Sequence, residues 1–436
     1  MQLLLKKGII KDPKYDYKDS HDILIEDGKI KKIAPNIEKK ELKKEVTVID
    51  LAEKIVLPGL IDLHTHLREP GFEEKETIKT GAEAAAAGGF TSIACMPNTR
   101  PVADNPATIE FIKSKAQQAV VKVYPIGSIS KDLAGEELSE IGFLAEAGVT
   151  ALSDDGKTVM DGEIMRRAME YATGFDLTVI DHCEDINLVG EGVMNEGYFS
   201  TVLGLKGIPS AAEEVIIARD IILAELTGCP VHIAHLSTKK GVEMVAEAKE
   251  KGLAITAEVT PHHLILTDQA VMSFNPDTKV NPPLRSEEDR AALRKGLQDG
   301  TIDMIATDHA PHTYEDKLGE FDLAANGISG LETALSLIYH HLIQEKIINW
   351  DQLVEQMVYQ PSKILKLNQP GLEEGSSADI TVFDPEQDWN VNPNKFKSKG
   401  SNTPFAGDHL QGRTCLTVVD GKIVYDNRSG KHEIIY

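Results

Sequence analysis

Short apolar runs alternate with helical patterns through the middle of the chain. Eight of these runs predict strands, at 55–63, 91–96, 121–126, 149–152, 177–180, 230–234, 254–259 and 303–306. Amphipathic helical patterns lie between them, for example at 210–226 and 239–251. Strand–helix alternation is typical of an α/β protein with a parallel sheet, and eight repeats predict a (β/α)8 barrel of the TIM type. The active site of such a barrel lies at the C-terminal ends of its strands.

The two ends of the chain have a different pattern, made of short strands joined by tight turns. Asp27-Gly28 and Asp420-Gly421 each separate two apolar runs, which is a hairpin pattern. We therefore expect a small β-sandwich built from residues 1–57 and 368–436 together, beside a barrel formed by 58–367.

Composition narrows the range of partners. The chain has 436 residues, of which 41% are hydrophobic and 26% charged, as in ordinary globular proteins. Its net charge of −23 disfavours nucleic acid as a partner. The four cysteines are scattered, so no disulfide framework is expected and a reducing cytoplasm is favoured. No apolar stretch approaches the roughly 20 residues of a membrane span, so no membrane association is expected.

Polar residues follow the predicted strands where an active site would lie. His64 and His66 point the same way because side chains in a strand alternate, so they form half of a metal site. His182, His235 and Asp308 follow three other strands. One carboxylate of Asp154-Asp155 is placed to bridge two metals, but the residues alone do not choose between them. This pattern predicts a metal-dependent hydrolase rather than a binding module.

Other polar residues near the strand ends are candidate substrate contacts or ligands, and some of them have a structural interpretation as well. Arg68 carries a planar fork suited to a carboxylate. Asn98 and Asn281 are placed for substrate contact, although an asparagine beside proline is also common in turns. His262-His263 is an alternative ligand pair, and His232 alternates onto the opposite face and is expected to be structural.

Six motifs together resemble the amidohydrolase superfamily and, within it, the bacterial-type (class I) dihydroorotases. They are His-Thr-His-Leu-Arg-Glu-Pro-Gly at 64–71, Met-Pro-Asn-Thr at 96–99, Ser-Asp-Asp-Gly at 153–156, Thr-Pro-His-His at 260–263, Asn-Pro-Pro-Leu-Arg at 281–285 and Ala-Thr-Asp-His-Ala-Pro-His at 306–312. The resemblance covers essentially the whole chain. It implies reversible hydrolysis of the cyclic amide of dihydroorotate to N-carbamoyl-aspartate, a step of pyrimidine biosynthesis.

The resemblance also implies a metal site of one or two Zn²⁺ ions per subunit. His64, His66 and Asp308 would hold one ion, His182 and His235 the second, and Asp155 would bridge them. Asp308 would in addition transfer the proton during catalysis. Related cyclic amidases use a carboxylated lysine as the bridge, but Lys157 lies beyond the turn and is misplaced for that role.

The substrate contacts implied by the resemblance lie on the same strand ends. Arg68, Asn98 and His312 would hold the carboxylate, Asn281 the ring, and His66 would also face the substrate. Backbone contacts would come from Asn326-Gly327, where many relatives carry an aromatic residue instead of the asparagine. We expect the segment from Pro311 to Asn326 to be a mobile lid.

Two alternatives stay open. An allantoinase or a hydantoinase would act on a substrate without the ring carboxylate, which Arg68 disfavours. An inactive dihydroorotase-like subunit would act as a scaffold for aspartate transcarbamoylase, which the intact ligand set disfavours. A homodimer and a complex with aspartate transcarbamoylase are the macromolecular assemblies that the resemblance suggests.

Overall fold

The structure is a computed structural model that describes residues 2–15, 17, 19–43, 45–367, 371–428 and the backbone of 433–435. Its strands are β1 (Gln2–Ile10), β2 (Ser20–Glu26), β3 (Lys29–Ala34), β4 (Val46–Asp50), β5 (Ile55–Pro58), β6 (Leu60–Thr65), β7 (Phe90–Cys95), β8 (Lys122–Pro125), β9 (Ala151–Ser153), β10 (Thr178–Asp181), β11 (Met194–Asn195), β12 (Gly207–Ile208), β13 (Val231–Ile233), β14 (Ile255–Val259), β15 (Met304–Ile305), β16 (Ile380–Asn390), β17 (His409–Val419), β18 (Lys422–Asp426) and β19 (Glu433–Ile435).

Helices separate the strands of the middle region. The α-helices are α1 (Ile78–Gly88), α2 (Pro106–Ala116), α3 (Ile141–Ala147), α4 (Gly162–Gly174), α5 (Ile186–Val189), α6 (Tyr198–Leu203), α7 (Ala211–Thr227), α8 (Lys239–Glu250), α9 (Pro261–Ile265), α10 (Glu287–Asp299), α11 (Tyr314–Lys317), α12 (Ala334–Ile338), α13 (Trp350–Val354) and α14 (Gln360–Ile364). Short 3₁₀ helices lie at Lys39–Glu41, Lys131–Leu133, Asp268–Ser273, Pro276–Thr278 and Pro393–Lys395, and π-helical turns at Tyr339–Ile343 and Glu355–Tyr359.

Eight parallel strands form the barrel predicted from the alternation. Strands β6, β7 and β8 pair in one sheet, and β9, β10, β13, β14 and β15 pair in another. Parallel bridges between Gly127 and Leu152 and between Thr65 and His309 join the two sheets at both edges. The fold is therefore an α/β TIM-type barrel, and the C-terminal ends of its strands share one mouth.

Both ends of the chain contribute to one further sheet. Strand β1 pairs with β2 along one edge, and with β4 and then β5 along the other. Strands β16, β17 and β18 continue the sheet from β5, so the C-terminal region completes the β-sandwich. Its division from the barrel at 57/58 and 367/368 stays a prediction, and residues 368–370 lie outside the described part.

The first predicted strand, 55–63, is two strands in the structure. Ile55–Pro58 belongs to the terminal sheet, whereas Leu60–Thr65 begins the barrel. Gly59 lies at the break, where a Cβ atom would come 2.2 Å from Oγ1 of Thr91. Both halves are fully buried and Ile, Val and Leu dominate each of them up to residue 63, so the hydrophobic pattern did not reveal where the chain changes sheets.

The two predicted hairpin turns are confirmed. Asp27 and Asp420 have φ values of 51° and 47°, and the glycines that follow have 83° and 73°, as type I′ hairpin turns require. All four cysteines are free and buried.

Within the described residues, no helix has the length and apolar character needed to cross a membrane.

Candidate active site

The barrel mouth encloses a cavity of about 210 Å³ that gathers the predicted substrate contacts in one place. Its lining consists of His66, Arg68, Asn98, Asp155, Gly156, His182, His235, Asn281, Asp308, Ala310, His312, Asn326 and Gly327. His64 lies beneath this lining and is completely buried. The strand ends therefore bring together residues that are up to 263 positions apart in the chain, from His64 to Gly327.

One group of ligand atoms forms where β6 meets the end of β15. Nε2 of His66 lies 3.0 Å from Oδ1 of Asp308, and Nε2 of His64 lies 3.6 Å from the same oxygen. One ligand atom from each of the three residues lies within 4.8 Å of the other two. This spacing fits a single metal ion bound by two imidazoles and a carboxylate.

Asp155 lies between this group and a second pair of histidines. Its Oδ1 is 3.3 Å from Nε2 of His64, 3.4 Å from Nε2 of His235 and 3.7 Å from Nδ1 of His182. Its Oδ2 is 3.3 Å from Nε2 of His66. The Asp155 carboxylate thus contacts histidines of both groups, which is the geometry of a bridge between two metals.

Asp154 faces away from the histidines. Its Oδ1 accepts hydrogen bonds from the backbone N–H groups of Ile129 and Ser130, at 2.8 and 3.0 Å, and its Oδ2 accepts one from the Ser130 hydroxyl. These three bonds occupy the carboxylate, so Asp154 supports the loop after β8. The geometry thus distinguishes two neighbouring aspartates that the sequence left equivalent.

Three buried polar atoms in the cluster have no hydrogen-bond partner. They are Nε2 of His64, Oδ1 of Asp155 and Nδ1 of His235. Burial disfavours the His64 imidazolium, but Asp155 and Glu258 raise its pKa well above the ordinary value. Burial likewise opposes ionisation of Asp155, but His64 and His235 hold its pKa well below the ordinary value. The cluster is therefore organised to receive positive charge, and the donor set fits a divalent metal.

Glu258 and Glu184 orient the histidines, and the sequence reasoning missed both. Oε1 of Glu258 accepts from Nδ1 of His64 at 2.6 Å and from the backbone N–H of His235 at 3.2 Å. Oε2 of Glu184 lies 3.5 Å from Nε2 of His182. Such partners fix the tautomer and direction of a metal-binding imidazole. The one sign of Glu258 in the sequence is a lone carboxylate inside the apolar run 254–259.

Three non-glycine residues of the cavity lining adopt left-handed backbone conformations. Arg68, His235 and Asp308 have φ values of 61°, 31° and 46°. Non-glycine residues rarely adopt this region because it is energetically unfavourable. Such backbone angles persist only where the surrounding structure holds the backbone in place. Each of these turns directs a side chain into the mouth.

The substrate side of the cavity offers donors and acceptors with distinct roles. Nε of Arg68 is buried without a hydrogen-bond partner. Asn98 accepts from Nδ1 of His66 through its Oδ1 at 3.0 Å, which leaves its NH₂ group free to donate. Asn281 donates from Nδ2 to Glu184 at 3.1 Å, while its Oδ1 is buried and unpartnered.

Hydrogen bonds join the two ends of the predicted lid segment, 311–326, to each other and to residues outside it. Nε2 of His312 donates to the carbonyl of Asn326 at 2.8 Å, and the Gly327 N–H donates to the carbonyl of Lys279 at 2.9 Å. Asn402, a residue that the sequence reasoning did not identify, accepts from the His312 N–H at 3.0 Å and donates to the Gly327 carbonyl at 2.9 Å. Mobility of this segment stays a prediction.

The alternative ligand pair lies outside the ligand groups. Both ring nitrogens of His263 are engaged, one with Oγ1 of Thr260 at 2.8 Å and the other with the carbonyl of Pro282 at 3.0 Å. His262 is buried, and burial lowers its pKa to about 4. His232 contacts Glu258 at 3.2 Å, behind the ligands, which is the structural position expected of it.

Comparison with known proteins points to one family over the length of the chain. A family model described as Dihydro-orotase-like matches residues 53–241. A dihydroorotase of Acetivibrio thermocellus is 54% identical over 423 residues, covering 97% of this chain and 98% of the relative. A dihydroorotase of Thermoanaerobacter sp. is 53% identical and covers 100% of both chains.

Solved structures show the same architecture in related amidases. An L-hydantoinase (dihydropyrimidinase) from Arthrobacter aurescens superposes with a TM-score of 0.87 at 25% identity, covering 99% of this chain and 98% of that one. The shared fold therefore extends through the barrel and the terminal sandwich.

Proposed function

The chain belongs to the dihydroorotase family, and we propose that the residues at its barrel mouth carry out the reversible hydrolysis of dihydroorotate to N-carbamoyl-aspartate with one or two bound Zn²⁺ ions. The observation that supports this most is the position of Arg68. A buried guanidinium with an unpartnered Nε lines the same cavity as the metal-ligand cluster. A cyclic amide that carries a carboxylate satisfies both features at once.

The ligand set would divide between two ions. His64, His66 and Asp308 would hold the first, His182 and His235 the second, and Asp155 would bind both. Zn²⁺ bound to such ligands polarises a substrate carbonyl and lowers the pKa of water toward about 7. Lys157 is exposed and takes no part in the bridge.

Asp308 would transfer the proton. Burial opposes its ionisation, but the hydrogen bond from His66 and the nearby His64 hold its pKa well below the ordinary value. The carboxylate is therefore charged at neutral pH and accepts a proton from the attacking water. It then returns that proton to the amide nitrogen that leaves the ring carbonyl, which completes general base and general acid steps at one residue.

The remaining residues would orient the substrate. Arg68 and the NH₂ group of Asn98 would donate to its carboxylate, and His312 would face the same end. Oδ1 of Asn281 would accept from a ring N–H, since its NH₂ group is already bound to Glu184. The backbone N–H of Gly327 already donates to the carbonyl of Lys279. We therefore assign the backbone N–H of Asn326 as the donor to the substrate ring.

A hydantoinase is the second candidate, since solved hydantoinases share the fold. Arg68 favours dihydroorotate, because hydantoins and dihydrouracil lack the ring carboxylate. Association as a homodimer or with aspartate transcarbamoylase stays a prediction.

The test is substitution of Arg68 by methionine. Charged hydrogen bonds are worth roughly 1.5–3 kcal/mol, so Arg68→Met should lower kcat/KM for dihydroorotate on the order of 100-fold. Zinc content should match the wild type, because Arg68 is not a ligand. Discrimination against dihydrouracil should shrink as well. Wild-type kinetics with dihydroorotate would instead favour an uncharged cyclic amide.

A further inference from the structure

Lys75 lies beside the substrate cavity without being one of its lining residues. It belongs to the loop between β6 and α1, and its side chain is 22% exposed. Its Nζ is 3.2 Å from Oδ2 of Asp316 and 3.4 Å from Nδ1 of His312. Two loops of the mouth therefore meet at this ammonium group.

The two hydrogen bonds of the His312 ring, to Asn326 and Lys75, define its protonation. The Asn326 carbonyl can only accept a hydrogen bond, so Nε2 carries a proton. The Lys75 ammonium can only donate, so Nδ1 must offer a lone pair. A ring that donates from Nε2 and accepts at Nδ1 is a neutral imidazole in a single tautomer.

We propose that Lys75 is a specificity-determining residue for the substrate carboxylate, because its ammonium group holds His312 as the neutral Nε2–H tautomer, with the ring proton on the nitrogen that faces away from Lys75. This inference rests on the proposed function. Lys75 is a positioning residue, since it acts on the substrate through His312. The single ring proton at Nε2 is donated to the Asn326 carbonyl in this structure, and a substrate carboxylate would replace that carbonyl as its acceptor.

The charges around His312 agree with a neutral ring. Burial lowers the pKa of His312 to about 3, with Arg68, Lys75 and Lys317 acting in the same direction. Asp316 is the carboxylate on the other side, with Oδ2 at 3.5 Å from Nδ1. Its own pKa is about 2, because the bond from Lys75 and those from Thr313 outweigh its burial. The negative charge of Asp316 is therefore shared with Lys75.

The kinetic test compares Lys75→Met with Lys75→Arg in the zinc-loaded enzyme. Without the ammonium group, Nδ1 of His312 can take the proton and donate it to Asp316, which leaves a lone pair at Nε2 facing the substrate carboxylate. Lys75→Met should therefore raise KM for dihydroorotate about 10-fold and leave kcat within about twofold. Lys75→Arg keeps the charge and should restore most of the affinity. Lys79→Met is the matched control, since Lys79 is exposed on the neighbouring helix α1 and should behave as wild type.

A second readout does not depend on turnover. The ¹⁵N resonances of His312, assigned by their loss in His312→Asn, should show a protonated Nε2 and an unprotonated Nδ1 in the wild type at pH 7. In Lys75→Met the imidazolium should appear at higher pH than in the wild type, because one repelling cation is removed. A protonated Nδ1 in the wild type would overturn the inference without any variant having to fold.

The two proposals fail in different ways. Wild-type KM in Lys75→Met, beside a raised KM in Arg68→Met, would overturn the role of Lys75 alone. An equal fall of kcat in Lys75→Met and Lys75→Arg with unchanged KM would show a structural role and also overturn it. Wild-type KM in Arg68→Met would contradict the carboxylate site itself.

Discussion

Nδ1 of His64 lies 2.6 Å from Oε1 of Glu258, and both side chains are completely buried. Because the carboxylate accepts from Nδ1, Nε2 of His64 is turned toward Asp155 and Asp308. The orientation of His64 in the candidate metal site thus depends on Glu258 of β14, which lies 194 positions further along the chain.

Replacing Glu258 by glutamine should weaken zinc binding. Partners of metal-binding histidines typically contribute about 10- to 100-fold to affinity, and an amide holds the imidazole less strongly than a carboxylate. Chelator competition at equilibrium measures the change. Glu250→Gln, at an exposed position of α8, is the control. Equal zinc affinity in both variants would remove Glu258 from the site.

Asp155→Ala and Asp154→Ala should differ in their effect on zinc. Asp155→Ala should lower zinc content, because the bridge is lost. Asp154→Ala should keep its zinc but lose roughly 1–3 kcal/mol of folding stability, because buried N–H groups lose their acceptor. The reverse order would move the bridge to Asp154. Activity should also be independent of added bicarbonate, since no carboxylated lysine is involved.

Asp308→Asn should abolish turnover while much of the zinc remains. Positioned proton transfer contributes about 10²- to 10⁴-fold, and an amide cannot accept the proton. Parallel measurement of kcat and zinc content separates this role from ligation. A rate near that of the wild type would show that another group moves the proton.

The buried Lys317 should make stability depend on alkaline pH. Its ammonium donates to the carbonyls of Pro276 and Ala325, at 3.1 and 2.7 Å, and burial lowers its pKa from 10.5 to about 8. Between these values the unfolded chain binds more protons than the folded one, so the free energy of unfolding should rise with pH. The rise should reach roughly 3 kcal/mol across that window.

Denaturant unfolding of the wild type and Lys317→Met from pH 7.5 to 10.5 isolates this contribution, because other groups titrate equally in both. The difference between the two free energies should grow in favour of the wild type as the pH rises. A pH-independent difference would mean that Lys317 titrates normally in the folded protein.

Local sequence determined most of the elements and placed much of the candidate ligand set. Alternation of apolar runs and helical patterns predicted eight barrel strands, because each element must bury one face. The spacing His64-x-His66 placed two imidazoles on one side of a strand, since side-chain direction has a period of two. These features depend on neighbours in the chain, so they are visible without a fold.

Tertiary structure decided which side chains turn into the mouth and what holds them there. Asp154 is captured by N–H groups of the loop at 129–130, and this leaves Asp155 to face the histidines. Glu258 and Asn402 act on residues 194 and 90 positions away. The direction of a side chain at a strand end depends on backbone angles and on hydrogen-bond partners that meet only when the barrel closes. It therefore cannot be predicted from a local sequence pattern.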